Sequence, residues 1–259
     1  MRYPGSATST SGHGVSGRPG PATGATAISV LTDTQRRFLE AFFESQQEPD
    51  PFYLSGGTAL AAYYLYHRYS DDLDFFTRDR SNLEPSAHRE QLERALTRSS
   101  LHIESSVRRG DHVQYLLAGD RGERPLTKIE FVFDTPRYLV APERHDGVFV
   151  DGVLAIAVNK LTALGRREPK DYVDLYEIVR SGPYALDDLV RLVPEKDPGL
   201  TPLVLATYFD DARDLSGVAA LLSRYMIAAL DWDDLVRFYE REAVRLRGLV
   251  PPRRRDRQG

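Results

Sequence analysis

Residues 52–77 read FYLSGGTALAAYYLYHRYSDDLDFFT, and this segment predicts a strand, a glycine turn and a helix in succession. The apolar run at 52–54 is typical of a short buried strand. Gly56 and Gly57, followed by Thr58, open an apolar helical run. A turn without Cβ atoms at the start of a helix lets a phosphate approach unpaired backbone N–H groups. The segment therefore predicts a phosphate cradle.

Two aspartates follow that helix, on a second predicted strand at 72–76. Side chains alternate along a strand, so Asp72 and Asp74 are expected on one face, a few ångströms apart. Two carboxylates held side by side repel each other, and a divalent cation offsets that repulsion. Mg²⁺ or Mn²⁺, shared with the phosphates of a nucleotide, suits this arrangement. The alternative is an ordinary glycine turn followed by a surface hairpin with solvated aspartates.

Two blocks of sequence resemble a known family. The first is SGGTAL at 55–60 with HRYSDDLDFF at 67–76, and the second is NKLTAL at 159–164 with KDYVDLY at 170–176. Together they closely resemble the nucleotidyltransferase-like AbiEii/AbiGii toxins of type IV toxin–antitoxin and abortive-infection systems. That family lies within the DNA polymerase β-like superfamily, whose signature is Gly-Gly or Gly-Ser followed by Asp-x-Asp. The resemblance covers residues 31 to 180.

The resemblance implies a fold, an activity and partners. The fold is a minimal nucleotidyltransferase α/β core, a mixed sheet of about five strands flanked by helices, with an α-helical C-terminal part. The activity is metal-dependent transfer of a nucleoside monophosphate from an NTP to an acceptor hydroxyl. Asp72 and Asp74 would hold Mg²⁺ or Mn²⁺, and Gly56, Gly57 and Thr58 would cradle phosphate. The implied acceptor is the 3′ end of a tRNA, and the implied protein partner is a cognate antitoxin.

A third carboxylate is expected near this pair. The run KIEFVFD at 128–134 alternates polar and apolar residues, which places Lys128, Glu130 and Val132 on one face. In the superfamily a carboxylate on a neighbouring strand completes the metal cluster, and Glu130 matches it. It would then hold the metal or accept a proton from the attacking hydroxyl. The alternative is a solvent-facing glutamate paired with Lys128 or an arginine.

Lys160 and Asp174 belong to the second block. Lys160 lies in an apolar helical run, where an unpaired ammonium is costly, so it needs an anionic ligand or a carboxylate such as Asp174. The resemblance favours contact between Lys160 and the triphosphate. The alternative is a lysine that extends to solvent. Asp174 matches the acidic residue of the later motif, or else forms a surface salt bridge with Lys170.

Three residues of the first block stay open to two interpretations each. Arg68 binds phosphate or RNA, or pairs with Asp72. Ser70 binds phosphate or orients Asp72. For His67 we favour a place in the core or behind the site over direct contact with substrate.

Composition excludes several classes of protein. With 259 residues the chain is long enough for one large domain or two small ones. It has no cysteine, so disulfides, thiolate chemistry and cysteine zinc sites are excluded. The absence of disulfides is consistent with the reducing cytoplasm, where we expect the protein to be located. No apolar run approaches the length of about 18–20 residues that spans a membrane. The net charge of −4 provides no overall basic signature, so an RNA partner would need a local basic patch.

The chain divides into four predicted parts. Residues 1–28 are rich in Ser, Thr, Gly, Pro and Ala and are expected to be disordered. Residues 29–150 form the nucleotidyltransferase core, and 151–249 form a helical domain that completes the active site. The tail at 250–259 is basic and expected to be disordered.

Further elements are predicted from periodicity. Strands are expected at 101–108, 112–118, 126–133 and 148–150, with hairpin turns at 109–111 and 119–122. Helices are expected at 31–47, 84–99, 154–164, 168–180, 187–193, 202–213, 217–229 and 232–247.

Two other functions compete with nucleotidyl transfer. The first is a non-catalytic module that holds a nucleotide and binds RNA or a protein. The intact pair of Asp72 and Asp74 argues against it, because a non-catalytic module has little need of both. The second is a two-metal phosphohydrolase that uses the same carboxylates.

Overall fold

A mixed sheet of seven strands forms the N-terminal half of this computed structural model, which describes residues 30–119, 127–134, 138–182 and 184–249. The expected disorder at 1–28 and 250–259 concerns residues outside these ranges. The same holds for residues 120–122 of the second predicted turn and for residue 126. The strands are β1 (Tyr53–Ser55), β2 (Leu73–Thr77), β3 (Leu101–Arg109), β4 (His112–Gly119), β5 (Thr127–Phe133), β6 (Glu143–His145) and β7 (Val148–Val150).

The sheet order is β3-β4-β5-β2-β1-β7-β6. Strand β2 is parallel to β5 and β1 is parallel to β7, whereas the other neighbours are antiparallel. The predicted mixed sheet is confirmed, but the expected number of about five strands is too low. Strand β6 was missed because Glu143, Arg144 and His145 are all polar, and only pairing with β7 makes them a strand.

Helices cover the sheet and form the C-terminal half. They are α1 (Asp33–Phe43), α2 (Gly56–Leu60), α3 (Pro85–Ser99), α4 (Val153–Ala163), α5 (Pro169–Ser181), α6 (Leu186–Lys196), α7 (Pro202–Asp210), α8 (Ala219–Leu222) and α9 (Trp232–Gly248). A π-helical turn, Ala61–Leu65, continues α2. Short 3₁₀ segments span Arg80–Leu83, Leu164–Arg166 and Asp211–Val218.

The predicted helix at 217–229 is wrong. Only four of its residues are α-helical, in α8, and the chain beyond them turns back to the segment at 67–69. The N–H of Ile227 donates to the carbonyl of His67 at 2.9 Å, and the N–H of Tyr69 donates to the carbonyl of Tyr225 at 2.7 Å. These tertiary hydrogen bonds replace the helical ones.

One face of the sheet is buried under α1 and α3. Phe42 of α1 contacts Phe75 and Phe131, with ring centroids 4.4 and 5.9 Å apart. His88 of α3 stacks on Phe131 at 4.2 Å. Because side chains alternate, the residues next to Phe75 and Phe131 point to the other face, which places Asp74 there beside the equivalent residue of β5.

The helical half packs against the sheet in one continuous core. Buried side chains from α1 through the sheet to α9 form a single hydrophobic cluster. Helix α4 contacts α2, α5 and α6, and α7 packs on α9. Tyr172 of α5 contacts Tyr239 of α9 with ring centroids 5.2 Å apart. Across the residues that the structure describes, no helix combines the length and the apolar character needed to cross a membrane.

Candidate active site

Three carboxylates meet on the face of the sheet away from α1. Asp74 on β2 and Glu130 on β5 are direct neighbours in the parallel pairing, and Asp72 lies just before β2. Side chains alternate along β5 as predicted, so Glu130 lies on the same face of the sheet as Asp74. All three carboxylates line one cleft.

The glycine pair makes room for side chains of the site itself. Gly56 has a φ of +69°, and a Cβ there would overlap the carboxylate of Asp74. A Cβ on Gly57 would overlap the guanidinium of Arg68. Gly56 faces the cleft, whereas Gly57 and Thr58 are buried behind it. The Thr58 hydroxyl donates to the backbone carbonyl of Asp72, so this segment also fixes where the first aspartate lies.

The carboxylates carry a charge that the protein offsets only in part. Burial, reinforced by the charges of Glu130 and Asp72, raises the pKa of Asp74 to about 7. The Lys128 ammonium lies 3.2 Å from Asp72 and 2.7 Å from Glu130. His112 Nε2 is 3.2 Å from Glu130. Burial acts to raise the pKa of Glu130, but Lys128 and His112 outweigh it and lower that pKa.

The donor set suits a hard divalent cation in its chemistry. All donors are carboxylate oxygens, which Mg²⁺ and Mn²⁺ prefer, and the pKa of Asp74 is raised by burial and by the charges of its carboxylate neighbours. With the side chains as they lie in this structure, however, no three acidic or histidine residues of the described ranges are arranged to hold one metal ion. The Lys128 ammonium bridges Asp72 and Glu130 instead.

A second, buried cluster lies behind the carboxylates. Asp174 is fully buried, and its two oxygens accept hydrogen bonds from Nε and Nη2 of Arg68 at 2.6 and 2.7 Å. The Lys160 ammonium lies 2.7 Å from Asp174 and 2.6 Å from Asp171. His67 Nε2 is 2.8 Å from Asp174. Burial alone would raise the pKa of Asp174, but Arg68 and Lys160 hold it well below its usual value.

This cluster decides between several alternatives left open by the sequence. Arg68 pairs with Asp174 and not with Asp72. The surface bridge from Asp174 to Lys170 does not form, because Asp174 is fully buried. Lys160 pairs with the carboxylates of Asp171 and Asp174, and a carboxylate partner such as Asp174 was one of the two interpretations drawn from the sequence. The solvent-exposed alternative for Lys160 is wrong.

His67 and Ser70 complete the cluster's surroundings. His67 is buried against Asp174, as favoured from the sequence. Ser70 lines the cleft, and its carbonyl accepts a hydrogen bond from the Gln35 side chain at 2.9 Å. The segment at 67–70 is thus held by α1 and α5 at once.

Two clefts meet at the carboxylates and share Asp74, His112, Glu130, Lys160 and Arg166. The charged cleft, about 340 Å³ in volume, is otherwise lined by Arg68, Ser70, Asp72, Lys128, Glu168, Lys170 and Asp171. The apolar cleft, about 480 Å³, is otherwise lined by Gly56, Phe76, Val132, Phe133, Asp134, Ile156, Asn159, Thr162 and Ala163. Together they give the site a polar half and a hydrophobic half.

Sequence reasoning missed some of the cleft's residues. His112 was not singled out from the sequence, and Lys128 was considered only as a surface partner of Glu130. Asp171 was not identified as a partner of Lys160. The signal for His112 was its predicted place at the start of β4, but its nearness to Glu130 depends on the β4–β5 register.

Comparison with known proteins identifies the family. A sequence model of the nucleotidyl transferase AbiEii toxins, of type IV toxin–antitoxin systems, matches residues 37–242. The chain belongs to this family. A curated relative, the uncharacterised protein aq_aa25 of Aquifex aeolicus (strain VF5), is 33% identical over 171 residues, which make up 63% of this chain and 76% of that protein.

Solved structures share the fold at low sequence identity. The crystal structure of a candidate nucleotidyltransferase from H. pylori superposes with a TM-score of 0.51 at 17% identity, covering 84% of this chain and 96% of that one. The nucleotidyltransferase toxin MenT4 from Mycobacterium tuberculosis H37Rv gives a TM-score of 0.48 at 17% identity, covering 81% of each chain. The likeness to the H. pylori protein shows that the two chains share a fold.

Membership of the AbiEii family makes the chain a nucleotidyltransferase of a toxin–antitoxin system. The resemblance carried by the two sequence blocks is thereby confirmed, as is the α/β nucleotidyltransferase fold.

Proposed function

We propose that this AbiEii-family protein transfers a nucleoside monophosphate from an NTP to an acceptor hydroxyl in a reaction that requires Mg²⁺ or Mn²⁺. The observation that carries the proposal is the carboxylate group. Asp74, with its pKa raised to about 7, lies beside Glu130 and Asp72 in a cleft that Lys160 also lines. Accumulated negative charge at the meeting point of two clefts is suited to a cation and to the phosphates it carries.

The three carboxylates share the task of holding the metal, and Glu130 is also placed to act as a base. Asp72 and Asp74, with Glu130, would hold the metal, which when bound neutralises charge on the phosphates and on the leaving pyrophosphate. The acceptor oxygen forms a bond to the α-phosphorus as the bond from that phosphorus to the bridging oxygen of the β-phosphate breaks. Glu130 is held ionised by Lys128 and His112, which is the state it needs to accept the acceptor's proton or to bind metal.

The phosphate-binding residues divide into two groups. Gly56 lines the cleft, where its lack of a Cβ leaves the backbone accessible, and Lys160 and Ser70 line it too. Gly57, Thr58, Arg68 and Asp174 act from behind: they fix Asp72 and Lys160 through the contacts described above. Lys128 and Lys170 line the charged cleft as further cations for the β- and γ-phosphates.

The remaining expectations rest on the family. The proposed acceptor is the 3′ end of a tRNA, whose modification would block translation, and the proposed protein partner is a cognate antitoxin. The proposed location is the cytoplasm, where NTPs and tRNA occur together.

The experiment compares the wild type with Asp74→Asn in reactions that contain each α-³²P-NTP, Mg²⁺ and total RNA. We expect label in a tRNA-sized band with the wild type, and a loss of at least about a hundredfold in Asp74→Asn, because the carboxylate charge is removed without a change of shape. Asp71→Asn is the matched control, since this neighbouring aspartate is exposed. We expect it to keep transfer.

Other outcomes refute the proposal in different ways. Full transfer by Asp74→Asn would remove the carboxylates from the mechanism. Labelled free nucleotide without labelled acceptor would indicate a phosphohydrolase. Bound nucleotide without turnover, over RNA and protein acceptors, would indicate the non-catalytic binding module.

A further inference from the structure

Lys128 places a cation between two of the three carboxylates. Its ammonium lies 3.2 Å from Oδ2 of Asp72 and 2.7 Å from Oε1 of Glu130. The second oxygen of Glu130, Oε2, lies 3.2 Å from Nε2 of His112. Opposite charges at these distances attract each other strongly in a partly buried cleft. The protein thus neutralises the pair of Asp72 and Glu130 with one of its own side chains.

The position of Lys128 allows its ammonium to move, unlike that of Lys160. The Lys160 side chain is 10% exposed and is held between Asp171 and Asp174 in the buried cluster. The Lys128 side chain is 30% exposed and lines the charged cleft, which extends to Lys170. A flexible four-carbon stem lets a lysine ammonium move from one partner to another. The ion pairs of Lys128 can therefore be exchanged for others while the fold stays intact.

A divalent metal at this site and the Lys128 ammonium would use the same carboxylate oxygens. Two cations cannot share Oδ2 of Asp72 and Oε1 of Glu130, because they would repel each other at such short range. The ammonium must therefore leave these oxygens when a metal binds, and the loss of its ion pairs weakens the binding of the metal. The phosphates of an NTP in the charged cleft would provide a new anionic partner for the ammonium.

We infer that Lys128 competes with Mg²⁺ or Mn²⁺ for Asp72 and Glu130, and that its ammonium is transferred to the triphosphate when metal and NTP bind together. This inference rests on the proposed nucleotidyl transfer. Before substrate binds, Lys128 is a positioning residue that holds the two carboxylates side by side. By this exchange the protein alone binds the metal weakly and retains it only together with the nucleotide.

Metal affinity without nucleotide tests the competition. Electron paramagnetic resonance measures the Mn²⁺ that remains free in solutions of the full chain, and this gives the Kd. We expect Lys128→Met to bind Mn²⁺ at least about tenfold more tightly than the wild type, because the competing cation is removed from the carboxylates. Lys128→Arg keeps the positive charge and should stay within about threefold of the wild type.

Lys170→Met is the matched control. Lys170 lines the same cleft, and its ammonium lies 5.5 Å from the centroid of the Tyr225 ring. The variant removes one positive charge from the cleft but not from the carboxylates, so its affinity for Mn²⁺ should change by less than about threefold. A rise equal to that of Lys128→Met would overturn the competition, since any charge in the cleft would then have the same effect.

Nucleotide affinity tests the exchange of partners. Isothermal titration calorimetry at saturating Mg²⁺ uses NTP analogues in which a methylene group replaces the oxygen between the α- and β-phosphates, so that no transfer occurs. Lys128→Met should bind the best analogue at least about fivefold more weakly than the wild type, because the contact between ammonium and phosphate is lost. Tighter binding of metal and weaker binding of nucleotide in one variant cannot both come from a general loss of structure.

The outcomes separate this inference from the proposed reaction. Equal Mn²⁺ affinity in Lys128→Met and the wild type, or an unchanged affinity for the analogue, would overturn the exchange alone. Absence of transfer in the wild type, with the expected binding pattern intact, would refute the proposed reaction and leave the role of Lys128 standing. Absence of Mn²⁺ binding in the wild type and in every variant would contradict both.

Discussion

Gly56 meets two constraints at once, because its backbone is left-handed and its Cα faces a carboxylate. Any Cβ there would meet Asp74. We expect Gly56→Ala to lose at least about a hundredfold in transfer, since a displaced metal-binding carboxylate misaligns the reacting groups. The strain of the left-handed backbone should also cost about 1 kcal/mol of stability. Transfer assays and urea denaturation measure the two effects.

Gly110 is the matched control for Gly56. It lies in the turn between β3 and β4 with a φ of +55°, and a Cβ there would meet no atom within 4 Å. Gly110→Ala should therefore show the same loss of stability with normal transfer. Similar transfer by both variants would contradict the role assigned to Gly56.

Asp151 predicts a dependence of stability on pH. Burial raises its pKa to about 7, although the Ser55 hydroxyl donates to it at 2.8 Å and Lys196 acts to lower the pKa. The unfolded chain ionises this group near pH 4, so the folded state loses stability as the pH rises from about 4 to about 7. Asp151→Asn should therefore be about 2–4 kcal/mol more stable than the wild type at pH 8.

Urea denaturation at pH 8 and pH 4 checks this prediction. The difference between Asp151→Asn and the wild type should fall below about 0.5 kcal/mol near pH 4, where the carboxyl is protonated in the folded state and about half protonated in the unfolded chain. Asp188→Asn, on the exposed surface of α6, serves as the control and should not change the pH profile. An unchanged stability difference across this pH range would count against the raised pKa.

Helices α4 and α5 are joined to the segment at 67–70 by buried charge. Arg68 is 2% exposed and Lys160 is 8% exposed, and Asp174 contacts both. Asp174→Ala would leave two buried cations without the carboxylate that contacts both, and only Lys160 would keep an ion pair, with Asp171. We expect a loss of about 3–5 kcal/mol in the free energy of unfolding, because an uncompensated buried charge is costly. Denaturant titration followed by circular dichroism measures it.

The control for Asp174 is an ion pair of the same type at the surface. Asp214 is paired with Arg167 at 2.5 Å, and its side chain is 71% exposed. Asp214→Ala should change stability by less than about 1 kcal/mol. If the two variants lost the same stability, the buried cluster would not be the link between these elements.

At the scale of the molecule, the predicted division at residue 150 separates parts that share contacts. The N–H of Asp151 donates to the carbonyl of Leu54 at 2.8 Å, and Tyr64 donates to the carbonyl of Asp151 at 2.9 Å. Lys196 of α6 pairs with Asp134, and both side chains are buried or nearly so. A core cluster runs through both parts. We therefore propose that they unfold as one unit.

Trp232 makes this proposal testable. It is the single tryptophan of the chain and lies at the start of α9. Its fluorescence reports on the helical part, whereas far-ultraviolet circular dichroism reports on the whole chain. Urea transitions followed by the two signals should coincide. Two separate midpoints would instead indicate two independently stable domains at the predicted boundary.

Local features of the site could be predicted because each depends on a few consecutive residues. The strand, glycine turn and helix around Gly56 follow from backbone preferences and periodicity, and the same alternation places Glu130 on a defined face. The two motif blocks are short and in a fixed order, which was enough to identify the AbiEii family. The limits of α8 and the strand β6 were missed because long-range pairing determines both.

The sequence by itself determined the family, the α/β fold and the local placement of Asp72 and Asp74. Only the tertiary structure decided that Arg68 pairs with Asp174, 106 residues away, and that Lys128 and His112 contact Glu130. The physical reason is that φ and ψ preferences act over a few residues. Contacts between distant residues depend instead on strand register and helix packing, which no local pattern specifies.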